Sequence, residues 1–347
     1  MGIGVDYQKS IATTALIFAL VFAVQALAVA PSLWLIEKKG LRFAVFWGSG
    51  AQILVYVFLG LAKFDPIFFL ISAIFDGLQL AFYWTAFHLY FAQLTDNSNQ
   101  GKEMSVNASL GAVAAIGAPA FGGLVIAFFG YATVFAVITV LMVIAMIPLK
   151  GLPKADDKIR VDIIKTLLAI SPKKEFRSLL SYTGVGVSQI TTTVFWPIFV
   201  LPVMAGITGI GFLGSVIGLF GSFSALALGF LVDRFGARRI LNFVSPLDSI
   251  AGLFRMFVSN ATQIFGVSAA ASALTEAQFL TVDSLAYQRG RQSNIVAIII
   301  QREVGLSVGR FIFLLGLGIL FWFGLPLAMV FVMTALAVLA SRLYPDK

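Results

Sequence analysis

A chain of 347 residues that is 59% hydrophobic and 12% charged, with mean hydropathy +0.96, cannot cover itself with polar side chains, so a soluble two-domain protein is excluded. Cysteine is absent and histidine occurs once, at His88, which rules out disulfides and thiolate metal sites and leaves no metal centre or cofactor to expect. The net charge of +8 invites comparison with nucleic-acid binders, but its placement along the chain argues for a different meaning.

Apolar runs of about 20 residues recur throughout, each long enough to cross a hydrocarbon core of ~30 Å as a helix. The alternating pattern of an outer-membrane barrel is absent. The reading is an all-α, polytopic helical membrane protein with eleven spans, near 11–35, 42–62, 66–94, 105–128, 131–149, 177–200, 206–231, 238–259, 262–286, 293–318 and 322–343. The connection 150–176 is the only long one and divides the chain five spans against six: 1–149, a linker at 150–176, and 177–347. In the linker Ile159, Ile163, Leu167 and Ile170 share a helical face, which predicts a short amphipathic helix on the membrane surface.

Sorting the 24 Lys and Arg residues by loop places nineteen on one side and only Lys9 and Lys63 on the other, with Arg255, Arg302 and Arg310 inside spans. Basic residues are retained in the cytoplasm, so the C-terminus is expected inside, the N-terminus of this chain outside, and no nucleic-acid partner. The expected setting is a cell (inner or plasma) membrane.

Two short stretches repeat. "LWLIEKKGLR" (Leu33 to Arg42) follows the first span and "GFLVDRFGAR" (Gly229 to Arg238) follows the seventh, 196 residues later; both read acid, base, any residue, glycine, and a base two further on. The match indicates an internal duplication. In the second half this turn follows two spans and in the first only one, so the first half reads as short of one N-terminal helix, with "MGIGVDYQKS" resembling an extracellular loop.

With Arg239 added, the second stretch resembles the cytoplasmic loop signature of the major facilitator superfamily: Gly229, Asp233, Arg234, Gly236 and Arg238 match and Ala237 departs, while the first copy retains Glu37, Lys38, Gly40 and Arg42. "GAPAFGG" is similar to the helix-five motif of that family's proton-coupled exporters, with Gly117, Pro119, Gly122 and Gly123 matching and Ala118 in place of a glycine. The resemblance implies two pseudo-symmetric bundles working by alternating access, a small-molecule substrate with protons, and action as a monomer in the bilayer. Proton-driven export comes first, with nutrient-uptake symport or a non-transporting scaffold or sensor as alternatives. No nucleophile–base set or phosphate loop is present, so an enzyme is not expected.

Ionisable groups inside spans are costly and are functional candidates. Asp76 sits ~15 Å into the third span, at ~1.5 Å per residue, with Gln79 and Tyr83 on its helical face and Trp84 and His88 continuing beyond. The resemblance makes this family helix four, which lines the central cavity, and its counterpart helix ten carries Glu276, at a depth where pairing with Arg302 is open. Glu303 and Arg310 lie ~10 Å apart along one face, so each needs partners on other helices. Gln189, Thr192 and Trp196, just before Pro197, belong to family helix seven and are further substrate candidates; Asp248 and Arg255 read as structural. No arginine occurs in the first-half spans, which favours an apolar or cationic substrate over an organic anion.

Overall fold

The structure is a computed structural model, and it describes residues 2–94, 100–151, 172–204 and 206–345. The amphipathic helix expected in the linker lies outside these residues. Eleven helical rods run through the described residues, at the places the hydropathy predicts: α1 (Gly2–Lys39), α2 (Leu41–Leu61), α3 (Ile67–Gln79) continuing through a π turn (Leu80–Trp84) into α4 (Thr85–Leu94), α5 (Gln100–Phe129), α6 (Tyr131–Leu149), α7 (Pro172–Ile190) continuing through a second π turn (Thr191–Phe195) into α8 (Trp196–Val200), α9 (Gly206–Phe235), α10 (Ala237–Phe254), α11 (Ala261–Gln292), α12 (Ile295–Trp322), and α13 (Met329–Leu339) with its 3-10 extension (Ala340–Leu343).

Eight of these rods are long and apolar enough to cross a membrane by length and composition, and Met329–Leu343 is a shorter apolar helix. The two that fall below that hydropathy, α7 with α8 and α11, are rich in Ser, Thr and Gln. Many of those polar side chains, Ser188, Thr191, Ser268, Thr275 and Gln278 among them, are buried and hydrogen-bonded, which is how a polar helix is accommodated in lipid.

The rods gather into two compact units whose composition does not follow chain order. One comprises Met1–Thr95, Tyr131–Leu179 and Gly290–Gly324; the other comprises Asp96–Gly130, Leu180–Arg289 and Leu325–Lys347.

In the first unit α12 packs along α1, where Val29, Leu33 and Ile300 form a buried cluster. Helix α3 is pressed onto both neighbours: a Cβ on Gly77 would lie 2.6 Å from the Val24 Cβ of α1. One on Gly48 of α2 would lie 2.6 Å from the Tyr83 backbone nitrogen, so α2 meets the π turn backbone to backbone.

In the second unit α5 and α9 make the closest approach. A Cβ on Gly211 would lie 3.0 Å from the Gly123 Cα, one on Gly214 2.7 Å from Pro119, and one on Gly218 would overlap the Ala115 carbonyl. Trp196, Val200, Met204, Leu213, Ile264 and Phe331 form that unit's apolar core.

Candidate functional site

Asp76 is the tenth residue of α3, within a span described from Ile67 to Tyr90. Its carboxylate is half-buried and makes no hydrogen bond or ion pair among the described residues. On α2, Tyr56 is close enough to feel the Asp76 charge, and the Tyr56 hydroxyl accepts a hydrogen bond from Gln52 Nε2 at 3.4 Å. Gln79 is buried, while Tyr83 is half-buried and Trp84 exposed. Tyr83, Trp84, Phe87 and His88 form a ladder of ring contacts, with centroids 5.4 Å apart for Tyr83–Trp84 and 5.7 Å for Trp84–His88.

The π turn shifts the helical register of this rod. A π segment accommodates one extra residue, so side chains after Trp84 are turned by ~100°, one residue's rotation, from where an unbroken α-helix would put them. His88 faces α12, where its Nε2 lies 4.0 Å from Glu303 Oε1.

Glu303 is the hub of a buried polar cluster in the first unit. Arg302 Nη1 meets Oε1 at 2.5 Å, and Gln25 of α1 donates to Oε2 at 3.3 Å. The other Gln25 amide atom, Oε1, is buried without a partner among the described residues. Arg310 lies over the Phe22 ring at 5.1 Å, a cation–π contact inside the span. Arg302 thus takes the carboxylate beside it in the chain. Gln25 was not singled out from the sequence; the available signal was a lone amide in a long apolar run.

The second unit holds a separate network. Asp248 accepts from Ser188 at 2.9 Å and from Thr275 at 3.0 Å, so both carboxylate oxygens are satisfied. Arg255, 2% exposed, donates to Thr192 at 2.9 Å and lies over the Trp196 ring at 5.4 Å. Its Nε has no partner among the described residues. Trp196, fully buried, donates its indole N–H to Ser268 at 2.8 Å. Thr192 and Trp196, expected to line a substrate cavity, are both in contact with this buried arginine. Pro197 has no N–H to give the Thr193 carbonyl, which favours a looser turn there. Gln189 is half-buried one turn earlier, and Glu276 is half-buried without a hydrogen bond among the described residues.

The signature loops adopt one geometry twice. Gly40 has φ 91° and Gly236 φ 80°, a region that favours glycine. Gly40 N donates to Ile36 O at 2.8 Å and Gly236 N to Val232 O at 2.8 Å. Two residues later, Arg42 donates to the Lys150 carbonyl, and Arg238 donates to the carbonyls of Arg342, at 3.0 Å, and of Tyr344. Glu37 is half-buried and Lys38 exposed, and Gly229, Asp233, Arg234 and Arg239 are exposed.

Around the glycine–proline motif, Gly122, Gly123 and Pro119 line an apolar cleft of about 300 Å³ with Ile207, Gly211 and Pro197. Ser215 of α9 accepts the Ala120 N–H at 3.1 Å. Gly117 has no neighbour within reach of an added Cβ, so within the motif the close packing is made by Pro119 and Gly123.

The rods are those of a polytopic membrane protein that holds charge inside its spans. The family profile of the Major Facilitator Superfamily matches residues 1–301, and the chain belongs to that family. A search of curated proteins returns no match. Among solved structures, the chain is similar to a single-residue variant of the E. coli fucose:proton symporter FucP, with 12% identity, a TM-score of 0.68, and coverage of 98% of this chain and 90% of that one. It is also similar to the transporter FucP in its outward conformation, with 13% identity, a TM-score of 0.60, and coverage of 97% and 89%. At these identities the likeness is one of fold.

Proposed function

We propose that this transporter moves a small organic solute of neutral or cationic character by alternating access, coupled to protons carried by Asp76. The observation that carries this reading is the state of Asp76: a mid-span carboxylate, half-buried, with no hydrogen-bond or ion-pair partner among the described residues. A carboxylate in that setting is favoured when it exchanges a proton or meets a cation. By contrast, Asp248 is saturated by hydroxyls and Glu303 by Arg302 and Gln25, so neither is open to a ligand.

Export is the first direction, supported by the tight α5–α9 packing around the glycine–proline motif. Uptake by symport is the second, supported by the likeness to a fucose:proton symporter. The reading places the protein as a monomer in the cell membrane with its C-terminus in the cytoplasm, from the one-sided distribution of Lys and Arg.

The test is flux into proteoliposomes with an imposed pH gradient, using L-fucose and tetraphenylphosphonium as probes and a trapped pH dye to follow protons. Gradient-driven accumulation of one probe, with dye response, is expected. Asp76→Asn should abolish accumulation while leaving exchange at equal pH. Transport that ignores the gradient and survives Asp76→Asn would refute the assignment.

A further inference from the structure

The two signature loops raise a question that proton coupling does not address: what the basic residue at their far end holds. Arg42 and Arg238 occupy matching places in the repeat, each two residues after a positive-φ glycine and at the start of the next helix. Each reaches the carbonyl end of another helix within its own unit. Arg42 bonds the Lys150 carbonyl, just past the end of α6; Arg238 bonds those of Arg342 and Tyr344, at the end of the 3-10 extension of α13.

In both cases the acceptor belongs to the final helix of a sequence half. Lys150 closes the five-span half and opens the linker, and Tyr344 is where the six-span half runs into the C-terminal tail. The last carbonyls of a helix have no partner within it and carry the negative end of its dipole. A guanidinium offers two or more N–H donors in a fixed plane and satisfies both needs at once. The repeated glycine geometry aims the arginine: a φ near +90° reverses the chain, so that the residue two positions later points across the end of the bundle.

We propose that Arg42 and Arg238 are equivalent tethers, each fixing the chain that leaves its half to the signature loop of the same half. The loop and the exit strand then move as one piece. In the first half that piece includes the root of the linker, and in the second the C-terminal tail. The signature arginine is a positioning residue acting inside its own half.

The absence of cysteine makes the test direct, because labels go only where they are placed. In the full-length protein in lipid nanodiscs, one spin-label pair at Lys39→Cys and Gly151→Cys reports the first half, and another at Arg239→Cys and Leu343→Cys reports the second. Pulsed EPR gives each distance distribution. Arg42→Ala is expected to widen the first distribution about twofold, the scale of releasing a local unit, and to leave the second unchanged; Arg238→Ala is expected to do the reverse. Should an alanine variant fail to give folded protein, the glutamine variants Arg42→Gln and Arg238→Gln, which keep a shorter, uncharged amide donor, should show the same own-pair widening to a smaller degree. An own pair that stays narrow, or both pairs widening together, overturns the proposal.

Discussion

Gln25 and Glu303 stand 278 positions apart in the chain, and the amide of one donates to the carboxylate of the other at 3.3 Å inside the first unit. The same carboxylate holds Arg302 at 2.5 Å, with both residues of that pair almost fully buried. A buried ion pair is costly to break from one side, because the remaining charge has nowhere to go. Glu303→Ala should therefore lose about 3–5 kcal/mol of stability. Replacing both, Arg302→Met with Glu303→Met, should recover most of that loss. A thermal or denaturant double-mutant cycle in detergent checks it; additive losses would mean that the pair does not act as a unit.

The α5–α9 contact should be as sensitive to size as a tight membrane interface. Gly211 lies against Gly123 and Pro119, leaving no room for a branched side chain. Gly211→Val is expected to cost about 1–3 kcal/mol through overpacking, whereas Gly117→Ala, with nothing within 4 Å of an added Cβ, should be near neutral. Unfolding temperatures of the two variants, measured side by side, decide it. Equal effects would refute the close approach.

Trp196 is expected to behave as a structural residue and not as a cavity wall. Trp196→Phe removes the hydrogen bond to Ser268 and weakens the ring contact with Arg255, a loss of about 1–2 kcal/mol. Binding of whichever probe the flux assay identifies should be unchanged within twofold, as read by calorimetry. A large loss of affinity with intact stability would return Trp196 to the substrate site.

Tyr344 closes the second unit beyond the last span. Burial pushes its phenol above the usual value of 10.0, and its hydroxyl lies 3.3 Å from that of Tyr182. A phenol whose folded value is raised contributes stability that is fully present below pH 10 and fades as pH climbs from the unfolded value through the folded one. The parent protein should thus lose stability above about pH 10, and Tyr344→Phe should lose less over that interval. Unfolding midpoints at pH 8 and pH 11 give the comparison.

The rods were legible because hydropathy over some twenty residues is a bulk property, and the two polar rods at 177–200 and 262–286 were placed correctly through their apolar flanks. The repeat at Leu33 and Gly229 was legible because the glycines sit where only a positive φ reverses the chain. The polar networks were not. Gln25 meets Glu303, and Ser188 meets Asp248, through tertiary contacts that no local spacing encodes. Thr192 and Trp196 were assigned to a cavity because their type suits a ligand, yet the same chemistry suits a buried arginine equally well. The π turns were hidden for a related reason. Pro197 hints at the second, but the first coincides with Gly48 pressing on the Tyr83 backbone, a contact visible only once the helices are packed.

That first π turn lets the rod carry one residue more than an unbroken α-helix between the same two ends. Upstream, the Asp76 charge reaches Tyr56; downstream, His88 faces Glu303. Excising a single residue from Leu80–Trp84 would let the rod relax to an unbroken α-helix with both ends still turned to their present neighbours. A one-residue gap inside an unbroken stretch of the same rod would instead turn one end by ~100°. Deletion within the π turn should therefore be tolerated where deletion a turn or two away is not.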